Sequence, residues 1–396
     1  MSEKNNKYTP NLRFPEFTGE WEEKTLGEVS PVIFDGTHQT PHYVNSGIPF
    51  YSIENIVSDK PCKYIAQDEH MSNTKKNKTE KGDILITRIG TIGFAKIVDW
   101  DGEFSTYVSL ATIKKSSLIN TRYLLGYLQS EVYQKEMRSK SLMNAVPCKI
   151  NMEDLKNTRI ASPKEQKEQQ KIASCLSAMD DLIAAQAEKV EALKEKKTGL
   201  MQQLFPQPGE TTPRLRFPEF TGEWKDVLVK DFCDINTGKS NTQDQVEDGL
   251  YPFYIRSATP VRSNRFLYDC EAVITIGDGQ IGKVFHYVNG KFDLHQRCYM
   301  MSNFKGVDCR YFYYFFSCNF YERAIRLSAK AVVDSVRLEM ISDMPVFLPP
   351  TFAEQQKIAD CLSELDDLIA SETKQLEALK DHKKGLMQQL FPQPAK

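Results

Sequence analysis

Two stretches of the chain carry one apolar rhythm. Ile172, Leu176, Met179, Ile183, Gln186, Val190, Leu193, Lys197, Leu200 and Leu204 alternate steps of four and three, and so do Ile358, Leu362, Leu365, Ile369, Glu372, Leu376, Leu379, Lys383, Leu386 and Leu390. That alternation is the a/d seam of a left-handed coiled coil. Start signals precede the first stretch: Ser162 as cap, Pro163 at the first helical position and Glu165 three residues after the cap, with Thr351 and Glu354 repeating the capping box before the second. Phe205-Pro206 and Phe391-Pro392 end them, because proline cannot donate the next backbone hydrogen bond. The pattern predicts two helices of roughly forty residues, long for a globular protein.

Chain order sets their direction. The first helix leaves one globular segment and delivers the chain to the next, and the second has one equivalent place to go, back toward the first segment. An antiparallel pair follows; two amphipathic helices packed separately on their own domains is the alternative. At about 1.5 Å per residue the seam from Ile172 to Leu204 spans on the order of 50 Å, comparable with a turn of B-DNA, about 34 to 36 Å, once the inward reach of each globular part is allowed for. The polar seam positions Gln186, Lys197, Glu372 and Lys383 either set register or reach along the helix to solvent.

The helices belong to a larger duplication. Leu12 to Trp21 and Leu215 to Trp224 both read LRFPEFTGEW, and Gly199 to Pro208 and Gly385 to Pro394 both read GLMQQLFPQP. Trp21 and Trp224 stand 203 positions apart, whereas Glu168 and Glu354, in the shared EQQKIA, stand 186 apart; the difference of 17 falls inside the globular segments. There the copies have diverged: Gly47-Ile-Pro-Phe-Tyr51 still resembles Leu250-Tyr-Pro-Phe-Tyr254, but Thr37-His-Gln-Thr-Pro41 has only a loose counterpart in Thr237-Gly-Lys-Ser-Asn241. Identical frames carry two different faces, a device for gripping a two-part target.

Composition narrows the class. The 396 residues make room for two or three domains, and 40% apolar with 26% charged residues is ordinary for a soluble protein. No run of about 18 apolar residues suggests a membrane span, and MSEKNNKY lacks the apolar stretch of a signal peptide, so a cytoplasmic location is expected. Nine scattered cysteines, without a CxxC pair, support neither a disulfide framework nor a zinc site; Cys175 and Cys361 flank the seam in equivalent positions and are expected to pack there. A net charge of -2 means that any nucleic-acid contact is local or shared with a more basic partner.

Apparent catalytic motifs do not hold. Gly277-Asp-Gly-Gln-Ile-Gly-Lys-Val284 matches GxGxxG and most of a phosphate-binding loop, but Val284 stands where a Mg²⁺-holding hydroxyl is needed, and the following VFHYV alternates like a strand rather than opening a helix. Arg88-Ile-Gly-Thr-Ile-Gly93 followed by FAKIV repeats the strand, glycine turn, strand pattern. A glycine turn flanked by Thr87, Arg88 and Thr91 in one copy, and by Asp278 and Gln280 in the other, suits the presentation of polar groups to base edges, where Arg favours guanine and Gln adenine; a structural hairpin with polar residues facing water is the plainer reading. No NPPY-like or DPPY-like tetrad, nuclease-type cluster or GxSxG is present, and His38, His42, His70, His286 and His295 lack a nucleophile at a telling spacing.

Together, Asp35-Gly-Thr-His-Gln-Thr-Pro41, Gly82-Asp-Ile-Leu-Ile-Thr87 leading to Gly90-Thr-Ile-Gly93, and the EQQKIA helix start within a tandem repeat resemble the specificity subunit of type I restriction-modification systems, over essentially the whole chain. The second copy departs from the pattern with Asn236-Thr-Gly-Lys239 in place of the first motif. The resemblance implies an α+β fold in which two tandem α/β recognition domains, 1–162 and 209–349, alternate with helical segments 163–208 and 350–396 that form an antiparallel coiled coil with pseudo-two-fold symmetry. It implies that each domain reads half of a split site in double-stranded DNA. Two modification subunits carrying S-adenosylmethionine would dock on the helices, two restriction subunits using ATP and Mg²⁺ would join them, and this chain would be non-catalytic. The expected DNA-contacting residues are Thr37, His38, Gln39, Thr40, Arg88 and Thr91 in the first domain, and Lys239, Ser240, Arg256, Asp278, Gln280, Gln296 and Arg297 in the second. The rival reading is an adaptor that holds two protein partners at a fixed spacing.

Overall fold

The computed structural model describes residues 8–58, 60–207, 210–328 and 335–392. The first seven residues, the boundary expected at 208/209 and the tail 393–396 lie outside the described residues. Two compact units result: one runs to Gln186 and takes in Gln375 onward, and the other is Ala187–Lys374.

In the first unit β1 (Trp21–Thr25) leads into the short α1 (Leu26–Val29), β2 (Ile33–Asp35), β3 (Tyr43–Val44) and β4 (Ile48–Tyr51). Then come α2 (Ile53–Ser58), β5 (Lys63–Ile65), α3 (Gln67–Thr74), β6 (Ile84–Thr87), β7 (Ala95–Ile97), β8 (Ser105–Thr106) and β9 (Leu110–Ile113). The segment closes with α4 (Thr121–Gln129), α5 (Glu131–Ser139), α6 (Met152–Lys156), β10 (Arg159–Pro163) and the long α7 (Gln166–Leu204). The strands form an antiparallel sheet β2-β9-β6-β7, a sheet β3-β5-β4-β8 closed by a parallel pair, and the ribbon β1-β10.

The second unit repeats this order. It contains β11 (Lys225–Leu228), α8 (Val229–Phe232), β12 (Asp234–Thr237), β13 (Tyr251–Tyr254), β14 (Val261–Ser263), β15 (Tyr268–Ile276), β16 (Phe285–Leu294) and β17 (Cys298–Ser302). After these come α9 (Cys309–Ser328), α10 (Leu338–Ser342), β18 (Pro345–Leu348) and α11 (Phe352–Leu390). Here the ten-residue β16 serves as both β7 and β8, pairing with β15 along most of its length and parallel to β13 at its end, so one six-stranded sheet replaces two four-stranded ones. Ladder register equates Phe50 with Phe253 and Ile84 with Val273. Phe50 and Ile84 are 34 positions apart but Phe253 and Val273 only 20, which places 14 of the 17 extra residues of the first copy between β4 and β6.

Both long helices have 39 residues and stop one residue before the Phe-Pro pairs, as the sequence predicts. Their starts need a correction. Ser162 and Pro163 do not cap α7; they pair with Glu22 and Trp21 in the β1-β10 ribbon, and the turn falls after them, where Gln169 N–H donates to Glu165 C=O. Half of the second capping box forms: Thr351 Oγ1 accepts from Glu354 N–H at 3.3 Å, while the Glu354 carboxylate is engaged elsewhere.

Every seam position is buried or half-buried. Within the first unit Ile172, Ala173 and Leu176 share a core with Leu390 and Phe391, and Lys383 pairs with Asp180 at 2.5 Å. Within the second, Leu204 and Phe205 share a core with Ile358, Ala359 and Leu362, and Lys197 pairs with Asp366 at 2.5 Å and Lys189 with Glu372 at 2.7 Å. In each unit one helix's numbers fall as the other's rise, so the helix halves run antiparallel. Lys197 and Lys383 thus act through ion pairs with the facing helix, the register-setting alternative of the two weighed for them. Cys175 and Cys361 are half-buried free thiols, and burial raises the pKa of the latter.

The duplicated peptides form the joint between globular part and helix. Arg13 makes a two-pronged ion pair with Glu168 (2.7 and 2.8 Å), and Arg216 does the same with Glu354 (2.7 and 2.8 Å). Gln169 and Gln355 each accept the backbone N–H of a helix-capping residue, Asn120 and Asp308, at 2.8 Å. Leu12 N–H donates to Gln389 C=O and Leu215 N–H to Gln203 C=O, both at 3.0 Å, tying LRFPEFTGEW to GLMQQLFPQP in each unit.

Candidate nucleic-acid interface

A tight turn after β2 anchors the first face. Gly36 N–H donates to Leu110 C=O, Thr37 N–H to Thr106 C=O, and Val108 N–H to Thr37 C=O. In the second unit Gly238 N–H donates to Cys298 C=O, Ser240 N–H to Leu294 C=O, and Gln296 N–H to Ser240 C=O. The loosely matching motifs are therefore structural equivalents, Gly36 with Gly238 and Thr37 with Ser240, and Lys239 is an added residue. Both glycines are required by close approach, since a Cβ at either would run into the backbone carbonyl of Thr106 or Leu294.

Asp35 is the hub of the first face. Its Oδ2 accepts from Arg88 Nη1 at 2.9 Å and lies 3.1 Å from His38 Nε2. Arg88 is 7% exposed and also donates to the carbonyls of Val108 and Ile150. Its Nε and Nη1 donors are committed inward, and the next residue, Ile89, bridges to Lys149 ahead of α6. In this arrangement Arg88 supports the loop instead of facing base edges. Thr87 is likewise buried, with Oγ1 accepting from Phe94 N–H. His38, Gln39, Thr40 and Thr91 are exposed and Thr37 half-buried.

The second face brings more of the expected residues together. Arg256 and Arg297 both reach Asp278, at 3.2 and 2.7 Å, with the arginines 46% and 60% exposed. Partial burial works to raise the Asp278 pKa, but the Arg297 hydrogen bond and the nearby Arg256 charge prevail and hold it below the usual carboxylate value. Lys239, Gln280 and Gln296 are exposed. Ser240 is fully buried; its hydroxyl donates to Asp293 at 2.6 Å and accepts from Arg265 at 2.9 Å, so it braces the turn from within. His295 is buried beneath the turn, where burial and then the charges of Arg256 and Arg297 lower its pKa, and its Nδ1 accepts from Arg297 N–H.

Sequence reasoning missed Asp35, Arg265 and Asp293 as members of these faces. Asp35 lies inside a quoted motif, and its short acidic side chain before a glycine turn is a legible signal; Arg265 and Asp293 carry none. Chemically, the first face offers imidazole, amide and hydroxyl groups over the buried Arg88, and the second offers guanidinium, ammonium and amide groups over the buried Ser240 and Asp293, donors and acceptors of the kind that duplex base edges and phosphates take up.

Comparison with known proteins places this architecture. A family model described as type I restriction modification DNA specificity domain matches residues 18–195 and 221–381. Over 416 aligned residues the chain is 25% identical to the putative type I restriction enzyme MjaX specificity subunit of Methanocaldococcus jannaschii, covering 98% of this chain and 96% of that one. It is 26% identical over 148 residues to the type I restriction enzyme EcoDI specificity subunit of Escherichia coli, covering 37% and 32%. Among solved structures, the S subunit of a type I restriction-modification system from M. genitalium matches with a TM-score of 0.65 at 16% identity, over 98% of this chain and 100% of that one. A chain from a structure addressing complex assembly and conformational transition of the type I R-M system matches at 0.58 and 16% identity, over 96% and 98%.

Proposed function

The chain belongs to the type I restriction modification DNA specificity family, and from that premise we propose how it divides its work between frame and face. It is the specificity subunit of a type I restriction-modification system, and its task is DNA recognition. Each globular part reads one half of a bipartite site in double-stranded DNA. The first uses His38, Gln39, Thr40 and Thr91 over the Asp35–Arg88 support, and the second uses Lys239, Arg256, Asp278, Gln280, Gln296 and Arg297. The long helices act as an antiparallel coiled-coil spacer that sets the gap and receives two modification subunits. Methyl transfer from S-adenosylmethionine, and cleavage driven by ATP and Mg²⁺, belong to partner subunits.

The observation that carries this reading is the contrast between the joints, whose arginine–glutamate pair and glutamine bond recur in both units, and the faces, which differ in length and side chains. An adaptor for two partners would also keep its joints, but the Arg256–Asp278–Arg297 cluster beside exposed Gln280 and Gln296 suits base edges better than a protein surface. Cells given this chain with its modification subunits are expected to gain methylation at a split motif with one fixed gap. A continuous motif would overturn the bipartite assignment, and no sequence-dependent methylation would overturn the role of the faces.

A further inference from the structure

The first unit has a notch built by residues that the second lacks. Ladder register equates Ile65 with Ser263 and Ile84 with Val273; Ile65 and Ile84 are 19 positions apart, Ser263 and Val273 only 10. The additional residues form α3 and its exit, Ser72-Asn-Thr-Lys-Lys-Asn-Lys78. This segment walls a notch of about 330 Å³ whose facing wall is the turn Asp35, Gly36 and Thr37, with Ser72, Asn73 and Lys76 on the near side.

The lining is prepared for an anion. Asp35 is already matched by Arg88, and Glu103, near the base of α3, by Lys78 at 2.5 Å. Lys76 of the lining and its chain neighbour Lys75, outside the lining, are exposed, and no ion pair among the described residues engages them. Asn73 Nδ2 is buried with no hydrogen-bond partner among the described residues, a donor awaiting an acceptor. Because the whole chain is slightly acidic, its attraction to a polyanion must come from such local concentrations of positive charge.

We propose that this notch seats the sugar-phosphate backbone of duplex DNA beside the first half-site. Lys75 and Lys76 meet the phosphate charge, and the Asn73 amide donates to a phosphate oxygen. The inference rests on the DNA-recognition reading above and deepens it: the first face holds more backbone than the second. The exposed His38, Gln39 and Thr40 continue from the same turn, so a strand held in the notch lies alongside the residues assigned to base edges.

The test uses the full chain assembled with its modification subunits and a duplex carrying the methylated motif. Lys75→Ala/Lys76→Ala is expected to weaken binding equally for all sequences and to flatten the dependence of log K on log salt by about 2, roughly one per lost phosphate contact. Phosphate-ethylation interference should disappear beside the first half-site only. Asn73→Ala should weaken the interference only at the phosphate its amide meets, with the salt slope retained, and Lys75→Arg/Lys76→Arg should keep the slope. An unchanged slope and an unchanged interference pattern in the double alanine variant would overturn the notch assignment. If the unaltered complex itself binds DNA without sequence preference, the recognition reading falls instead.

Discussion

Removing the arginine of each joint should produce unequal losses. Glu168 and Glu354 are 1% and 0% exposed, each held by a two-pronged arginine. Taking away one partner of a buried pair strands a charge, at a cost of about 3–5 kcal/mol. Glu168, however, also accepts from Trp21 Nε1 at 3.1 Å, whereas the equivalent Trp224 Nε1 has no hydrogen-bond partner among the described residues. A hydrogen bond to a charged group contributes about 1.5–3 kcal/mol, so Arg13→Ala should be milder than Arg216→Ala by about 1–2 kcal/mol after relaxation. Urea unfolding followed by hydrogen exchange in each unit would resolve the two effects. Replacing the second pair together, Arg216→Met with Glu354→Leu, should restore most of the loss, because the desolvation penalty disappears with the charge. Equal losses for the two single variants would refute the compensation by Trp21, and losses below about 1 kcal/mol would refute the view that these joints hold buried charge.

Other perturbations separate frame from face. Gly36→Ala should abolish reading of one half-site and Gly238→Ala that of the other, as methylated motifs that degenerate on one side only would record. Arg88→Ala should relax the first half-site while also lowering the stability of the first unit, by about 1–3 kcal/mol, and Arg88→Lys should not rescue it because one ammonium cannot span Asp35 and two carbonyls; loss of specificity at full stability would return Arg88 to the base edges. Burial lowers the pKa of His70, His286 and His295, so below about pH 6.5 the unfolded chain binds more protons than the folded one and stability falls with pH. That decline should be shallower in a His286→Gln variant, measured by urea midpoints between pH 5 and about 8. Deleting one heptad from each long helix keeps the seam in phase and should shorten the gap of the methylated motif; an unchanged gap would exclude the helices as its ruler.

The long helices were legible because a 3.5-residue period and a terminal proline are local signals. Their starts were not. Ser162-Pro163 has the composition of a helix cap, but the partner that makes it a strand, β1, lies some 140 positions earlier and is invisible to local pattern. Strand β16 was legible from its alternation after Gly282, which dismissed the nucleotide-binding motif. The inward aim of Arg88 was illegible for a related reason: in an extended segment, successive side chains point to opposite faces, and which face is inward depends on where β9 pairs. The notch beside α3 was illegible throughout. That helix has no strong apolar stripe, and its place opposite Asp35 follows from sheet order alone.

The energetics explain why frame and face evolve under different rules. At each joint the glutamate and the glutamine next to it, Glu168 and Gln169 or Glu354 and Gln355, are buried and would be orphaned by loss of their partners, so a change there costs several kcal/mol and is felt in a fold that is only marginally stable. The face residues Gln39, Thr40, Thr91, Gln280 and Gln296 are exposed, and substitutions at such positions generally move stability by less than about 0.5 kcal/mol. Even the charged face members follow this division: Arg256 and Arg297 are 46% and 60% exposed, while the supports Arg88, Ser240 and Asp293 are buried. A specificity subunit organised in this way can exchange its reading groups almost freely while its joints stay fixed. Two copies of one ancestral unit could therefore drift to different targets, through loop length and exposed side chains, without either losing its grip on the helices.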